Sequence, residues 1–241
     1  MPALVSEDGH WWWDGHRWRT RLVEGPQDLL WFTATPEWFT RVLVMGLIGL
    51  IPIVGSIAIL GWALAATDMV RQGWKELPPA GFQHLERGVN PFVVGLVYGV
   101  VLVFTALALV VVAVVIATSG RAGVALAILI ALVVLLLLVA WWLYSLYVFA
   151  ALLVVSDRLG MAKALDPRVL LKAARANEEI SIRVGLTYLV ALLVFFAVSV
   201  AVAFIIPFSG LLLSLGLPAI YALIVPSLAG FRVEPPERPA T

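Results

Sequence analysis

The chain has 241 residues, 62% hydrophobic and only 13% charged, with a mean hydropathy of +1.02. An ordinary soluble domain is about 45–50% apolar and about 25% charged, so this much apolar side chain cannot be hidden in one water-soluble core. A net charge of +1 argues against a nucleic-acid partner, and the absence of cysteine removes disulfides, thiolate metal sites and cysteine nucleophiles.

Lysine occurs only at Lys75, Lys163 and Lys172 among the 16 basic residues, and the apolar filler is Ala, Val and Leu, a bias that points to a GC-rich bacterial genome. Residues 1–24 hold no basic segment followed by an apolar one, so they are expected to remain in the mature protein as part of a cytoplasmic segment, 1–35. Within it, His10 to Arg19 read His-Trp-Trp-Trp-Asp-Gly-His-Arg-Trp-Arg. Asp-Gly between aromatic runs is a strong hairpin signal, because a type I′ turn needs positive φ at both central residues. A β-hairpin over 10–19 with a two-residue turn pairs Trp13 with His16, Trp12 with Arg17, Trp11 with Trp18 and His10 with Arg19, and stacks Arg17 on Trp12. A lone hairpin is marginal in water. Trp11, Trp12, Arg17 and Trp18 therefore serve either as a headgroup-level anchor or as contacts to a protein partner.

The first hydrophobic stretch, Val42 to Ala66, is broken by Ile51-Pro52-Ile53-Val54-Gly55. Proline removes a backbone donor and glycine permits a reversal, which makes Pro52 and Gly55 a helix-break site. If the stretch crosses once, Arg17, Arg19, Arg21, Arg41 and Arg121 share one side and the other basic residues the opposite one. If it doubles back, Arg121 is alone on its side and all other arginine and lysine gathers on the other. The positive-inside rule selects the second arrangement, with both termini cytoplasmic. The arms, 37–51 and 53–71, rise about 22 and 28 Å at 1.5 Å per residue, which suits either a spanning or a re-entrant hairpin.

Phe92 to Thr118, Val124 to Val155 and Val184 to Ile206 contain no Asp, Glu, Lys or Arg, and about 20 apolar residues cross the hydrocarbon. Together with 211–229 they give four spans: 91–118, 124–155, 184–206 and 211–229. Asn90-Pro91 reads as an N-cap and a first-position proline opening the first of these, after a short amphipathic piece at 82–87. Ser119 to Gly123 reads as an outer turn. Asp166-Pro167 starts an interfacial helix, 167–177, whose Arg168, Lys172 and Arg175 fall on one side to contact lipid headgroups. Pro207 and Gly210 form a second break, and Ile206-Pro207-Phe208-Ser209-Gly210 repeats the Ile-Pro-x-x-Gly of Ile51 to Gly55. That match fits a duplicated helical hairpin or ordinary turn chemistry. The tail, 231–241, is proline-rich and expected to be disordered.

Proton relays and intramembrane catalysis need titratable groups at membrane depth, and the apolar runs contain none. Their polar residues, Ser56, Thr105, Thr118, Ser145, Thr187, Ser199 and Ser214, suit helix packing. His10, His16 and His84 do not converge as metal ligands, and Glu178 and Glu179 are adjacent and so do not face one site. No enzyme activity, cofactor or metal is expected. Gly46, Gly49, Gly55 and Gly61 sit where small residues let helix backbones approach.

Pro36-Glu37-Trp38-Phe39, the run from Gly46 to Gly55, Gly61-Trp62, Arg71-Gln72-Gly73, Leu77-Pro78, Arg87-Gly88 and Ala176-Asn177 resemble a bacterial membrane family catalogued as domain of unknown function 4013, over about residues 36–230. The resemblance implies a multi-helix membrane bundle and no assigned reaction. The Trp-Trp-Trp-Asp-Gly-His-Arg-Trp run is similar to short Trp-rich segments that precede membrane domains in actinobacterial proteins. The expected protein is thus an all-α plasma-membrane bundle, four long spans plus a Pro/Gly-broken N-terminal helical hairpin. It would act as a scaffold or accessory subunit in contact with the lipid bilayer and, through the Trp-rich segment, with a protein partner. The alternative is a small facilitator or channel-like transporter for an uncharged or apolar solute, with backbone carbonyls at the Pro52 and Pro207 breaks exposed to its path.

Overall fold

The computed structural model describes residues 6, 11–13, 18–20, 30–74, 76–203 and 210–233. Among them the membrane domain is all-helical: α1 (Trp38–Gly49), α2 (Val54–Arg71), α3 (Leu85–Ala117), α4 (Arg121–Arg158), α5 (Met161–Ala164), α6 (Pro167–Ala176), α7 (Glu178–Ala203) and α8 (Gly210–Ala229). Four helical segments are long and apolar enough to cross a membrane: α2, α3, Gly123–Arg158 of α4 and Glu178–Ala201 of α7. α8 runs 20 residues, Gly210–Ala229, whereas α1 has only 12. The second arm of the broken hairpin, α2, is thus itself long enough to cross.

Two three-residue strands, β1 (Trp11–Trp13) and β2 (Trp18–Thr20), pair antiparallel with Trp13 opposite Trp18, Trp12 opposite Arg19 and Trp11 opposite Thr20. This corrects the expected hairpin, in which Asp14-Gly15 alone formed the turn and Trp18 faced Trp11. The observed register sets the Trp13 and Trp18 rings edge to face, centroids 5.5 Å apart at 65°. A two-residue turn would have put His16 opposite Trp13 and forgone that contact, which is worth about 0.5–1.5 kcal/mol beyond burial. His10, His16 and Arg17 lie outside the described residues, and Trp12 has Arg19 rather than Arg17 as its strand partner.

The first hydrophobic stretch doubles back. α1 ends at Gly49, Ile53 takes φ 66° and ψ −64°, and the Val54 amide donates to the Pro52 carbonyl at 2.7 Å, closing a γ-turn of the rare positive-φ kind. Gly55 then lies directly on the Ile48 carbonyl and the Gly49 Cα, with no room for a side chain. At the open end, the Leu77 amide donates to Thr35 Oγ1 at 3.2 Å and the Arg41 guanidinium donates to the Leu77 carbonyl. The chain thus leaves the hairpin on the side where it entered.

α2 is the most deeply buried of the four long apolar helices. Its Ala58, Ile59, Trp62, Ala63, Leu64, Ala66 and Val70 are all buried, and it packs on α1, α3 and α8. Small residues make this possible: a Cβ on Gly61 would fall on the His84 carbonyl, and one on Gly88 would fall on the Ile57 carbonyl, so α2 and α3 cross backbone to backbone. Gly46 approaches α8 in the same way, its missing Cβ only 2.8 Å from the Leu215 Cα.

Two boundaries differ from expectation. Asn90 and Pro91 do not open α3; the helix starts at Leu85 and carries Pro91 inside it. Tertiary contacts override the local signal there, because the Gly61–Gly88 crossing and a donation from Asn90 Nδ2 to the Ser156 carbonyl at 3.4 Å hold residues 85–90 in helix. At the far end, Gly120 with φ 92° is the N-cap of α4, so the turn closes before Arg121 rather than at Gly123. α6 is capped as its sequence indicates: the Asp166 carboxylate accepts from the Arg168 amide at 2.8 Å, with Pro167 at the first position.

Candidate functional site

The polar end of the bundle gathers charge from three helices. α2 contributes Asp68 and Arg71 from its last turn, α3 contributes Arg87 from its first, and α4 ends on Asp157 and Arg158. Arg87 grips Asp157 in a fork, Nε to Oδ1 and Nη2 to Oδ2 both at 2.6 Å, and reaches Asp68 Oδ2 at 2.7 Å through Nη1. The Asp68 carboxylate also accepts from Arg71 Nη1 at 3.1 Å and from Arg158 Nη2. Planar bidentate pairing of this kind is the strong form of a guanidinium–carboxylate contact.

Arg71 has a second role. Its side chain is only 3% exposed, and it donates to the carbonyls of Ala229 and Leu228, both at 3.2 Å, and of Phe231 at 3.3 Å. Leu228 and Ala229 close the last turn of α8 and Phe231 lies just beyond it, and a cation there complements the helix dipole. One arginine therefore ties α8 to α2. Beside it, Asn177 between α6 and α7 exchanges two hydrogen bonds with the Arg232 backbone, donating at 2.8 Å and accepting at 2.9 Å. His84, just before α3, is held below the usual imidazole range by burial and then by the Arg87 charge.

The chemical meaning of this cluster is mechanical. Each carboxylate is engaged by at least two guanidinium groups, and the three arginines and two aspartates join the ends of α2, α3, α4 and α8 at one level. No group of three or more His, Asp or Glu that could hold a metal occurs among the described residues.

A second feature opens on the surface of the bundle, where Gly95, Leu96, Gly99 and Trp142 are exposed. Between α3 and α4, backed by α8 and covered by α6, is an apolar cavity of about 660 Å³ whose walls include Phe92, Trp141, Phe149 and Leu170. Gly95 and Gly99 of α3 line it, and a side chain at either position would meet nothing within 4 Å. At the polar end of the cavity the Tyr98 hydroxyl donates to the Leu165 carbonyl at 3.1 Å and the Tyr144 hydroxyl to the Pro167 carbonyl at 3.5 Å. These two tyrosines hang the junction of α5 and α6 over the cavity.

The residues singled out from sequence fall in separate places. Trp11 and Trp12 lie in β1 and Trp18 in β2, whereas Arg17 and Pro207 are outside the described residues. Pro52 forms the α1–α2 turn, Gly55 opens the packing of α2 on α1, and Gly210 begins α8. Arg168, Lys172 and Arg175 are exposed along α6 while Leu170 and Ala174 of the same helix are buried. The hydroxyls of Thr105, Thr118 and Ser145, expected to join helices, bond instead to carbonyls of their own helices.

Sequence reasoning missed the ion cluster and the cavity. Asp68, Arg71, Arg87, Asp157 and Arg158 were visible only as flanks of apolar runs. Their opposite signs at the ends of three successive helices were the available signal. The pair Gly95 and Gly99, four residues apart in a span, was a comparable signal for the cavity.

Fold and site together define a helical bundle compatible with several crossings of a membrane, its ionic cluster fastening one end. The chain belongs to the family described as Protein of unknown function (DUF4013), which it matches over residues 44–230. It has no match among curated proteins or among solved structures.

Proposed function

We propose that the protein is a non-enzymatic scaffold or accessory subunit of a bacterial cell membrane, with both termini and the ion cluster on the cytoplasmic side. The observation that supports this reading is how the polar groups are used. The charges at the clustered end are spent on one another and on helix ends, as described for Asp68, Arg71, Arg87, Asp157 and Arg158, which suits a rigid platform rather than a titrating relay. In this reading the Trp-rich segment is the partner contact and α6 rests on headgroups. The alternative of a solute path exposing the Pro52 turn gains no support from the cavity, whose lining is apolar and does not include Pro52.

Two experiments test the proposal. The chain lacks cysteine, so Ser119→Cys and Arg168→Cys can be labelled singly with a membrane-impermeant maleimide on intact cells. Ser119→Cys should react and Arg168→Cys should react only after lysis; the reverse overturns the sidedness. For the partner, affinity purification of wild type beside Trp11→Ala/Trp12→Ala/Trp18→Ala should yield a stoichiometric protein that the variant loses at equal expression. Purification of the wild type alone in several mild detergents would overturn the accessory role.

A further inference from the structure

We propose that the cavity between α3 and α4 is a binding site for an anionic phospholipid, with an acyl chain in the cavity and the phosphate on the basic face of α6. The inference goes beyond the scaffold reading and needs only that this end of the bundle sits at headgroup level.

Three observations carry it. The first is an open cleft that helix packing did not fill, with Gly95 and Gly99 exposed in it. Gly95 and Gly99 stand one helical turn apart on α3, an arrangement that elsewhere lets another helix close in, yet no atom lies within 4 Å of where their side chains would be. The resulting space, about 660 Å³, falls within the roughly 300–1,000 Å³ of ligand pockets. Its walls of Phe92, Trp141, Phe149 and Leu170 offer a water molecule too few polar partners, so the stable filler in a bilayer is hydrocarbon.

The second is that the cavity has one polar end. Tyr98 and Tyr144, both in the lining, fasten the carbonyls of Leu165 and Pro167 above it. An occupant that is apolar for most of its length and polar at one tip fits this shape.

The third is charge. The segment from Met161 to Ala176 carries Lys163, Arg168, Lys172 and Arg175 against Asp166 alone, and the Asp166 carboxylate is engaged as the N-cap of α6. Leu170 on the underside of α6 is a cavity wall, while Arg168, Lys172 and Arg175 are exposed on the same helix. The greasy site and the cationic face therefore belong to one short helix, which is the complement of an anionic amphiphile. A helix from a second copy would satisfy the glycine pair but not the basic face.

The test uses native mass spectrometry of the full chain, purified in detergent, delipidated and titrated with phosphatidylglycerol or phosphatidylcholine of identical chains. Wild type should bind one phosphatidylglycerol in preference to phosphatidylcholine. Gly99→Leu, whose side chain enters open space, should lower occupancy by both lipids at least tenfold while eluting as wild type does; Gly95→Leu repeats the test should Gly99→Leu aggregate. Arg168→Gln/Lys172→Gln/Arg175→Gln should keep the phosphatidylcholine level and lose the preference, by about fivefold per residue that touches the phosphate. Equal binding of the two lipids by wild type, lipid binding unchanged in both leucine variants, or a wild-type dimer that Gly99→Leu dissociates would each overturn the proposal. Maleimide sidedness and partner capture are read separately, so their failure would leave this result standing.

Discussion

Asp68→Asn removes the negative charge on which Arg71, Arg87 and Arg158 converge, leaving three guanidinium groups with Asp157 as the remaining carboxylate of the cluster. The Asp68 side chain is 19% exposed, and those of Arg87 and Arg158 are 26% and 17% exposed. The pairs are thus shielded from water enough to matter, yet not so deep that the dry-interior limit applies. With the charge centres about 4 Å apart, each pair is worth about 4 kcal/mol at an effective dielectric of 20, before desolvation is subtracted. Removing one partner of a buried pair typically costs about 3–5 kcal/mol because the other charge is left uncompensated. Asparagine keeps an acceptor for one guanidinium, so a loss of about 3 kcal/mol is expected.

The assay is the unfolding free energy in mixed micelles of rising SDS fraction, followed by tryptophan fluorescence, since Trp62 of α2 is fully buried and donates to the Pro78 carbonyl at 3.1 Å. Arg158→Met in the Asp68→Asn background should recover part of the loss, because the stranded cation goes with it, giving a non-additive cycle. A change of less than about 0.5 kcal/mol for Asp68→Asn, the size of an ordinary surface substitution, or strict additivity of the two changes, would refute the view that this cluster fastens the helices.

Three other outcomes follow from the same geometry. Gly61→Ala should cost about 1–3 kcal/mol in the same assay, since its methyl group lands on the His84 backbone and α2 and α3 must part; a neutral result would mean that the crossing is looser than the structure has it. Ile53→Gly should stabilise by about 1 kcal/mol, relief of roughly 1–3 kcal/mol of positive-φ strain exceeding the roughly 0.5–1 kcal/mol entropy of glycine, whereas Ile53→Ala should not. His84 has its pKa lowered in the folded state by burial and by Arg87, so its neutral form is favoured there. That contribution is fully present above about pH 6.5 and is lost as pH falls towards the folded pKa, and the unfolding midpoint of His84→Gln should fall less steeply below pH 6.5 than that of wild type.

Local features were legible without the structure. The apolar runs of α3, α4 and α7 exceed the hydrocarbon thickness on their own account, and α6 announces itself through Asp166-Pro167 and through Arg168, Lys172 and Arg175 at helical spacing. The reversal at Pro52 was readable from charge, because only a doubled-back first stretch leaves Arg121 isolated. The start of α3 was not, since Asn90-Pro91 is a sound local stop signal that a distant glycine crossing overrules.

The amino-acid order by itself determined that this is a many-helix chain with segments long and apolar enough to cross a membrane, where most of its helices run, and which residues of α6 stay polar, because hydropathy and periodicity act over a few turns of one helix. Only the tertiary structure decided that α2 is the most buried long helix, that Asp68, Arg87 and Asp157 meet, and that Gly95 and Gly99 face an unfilled cleft. Those facts depend on where helices cross and at what height their ends align. Such crossings are set by which small residues let two backbones touch, and residues far apart in sequence carry no local mark of the partner they will meet.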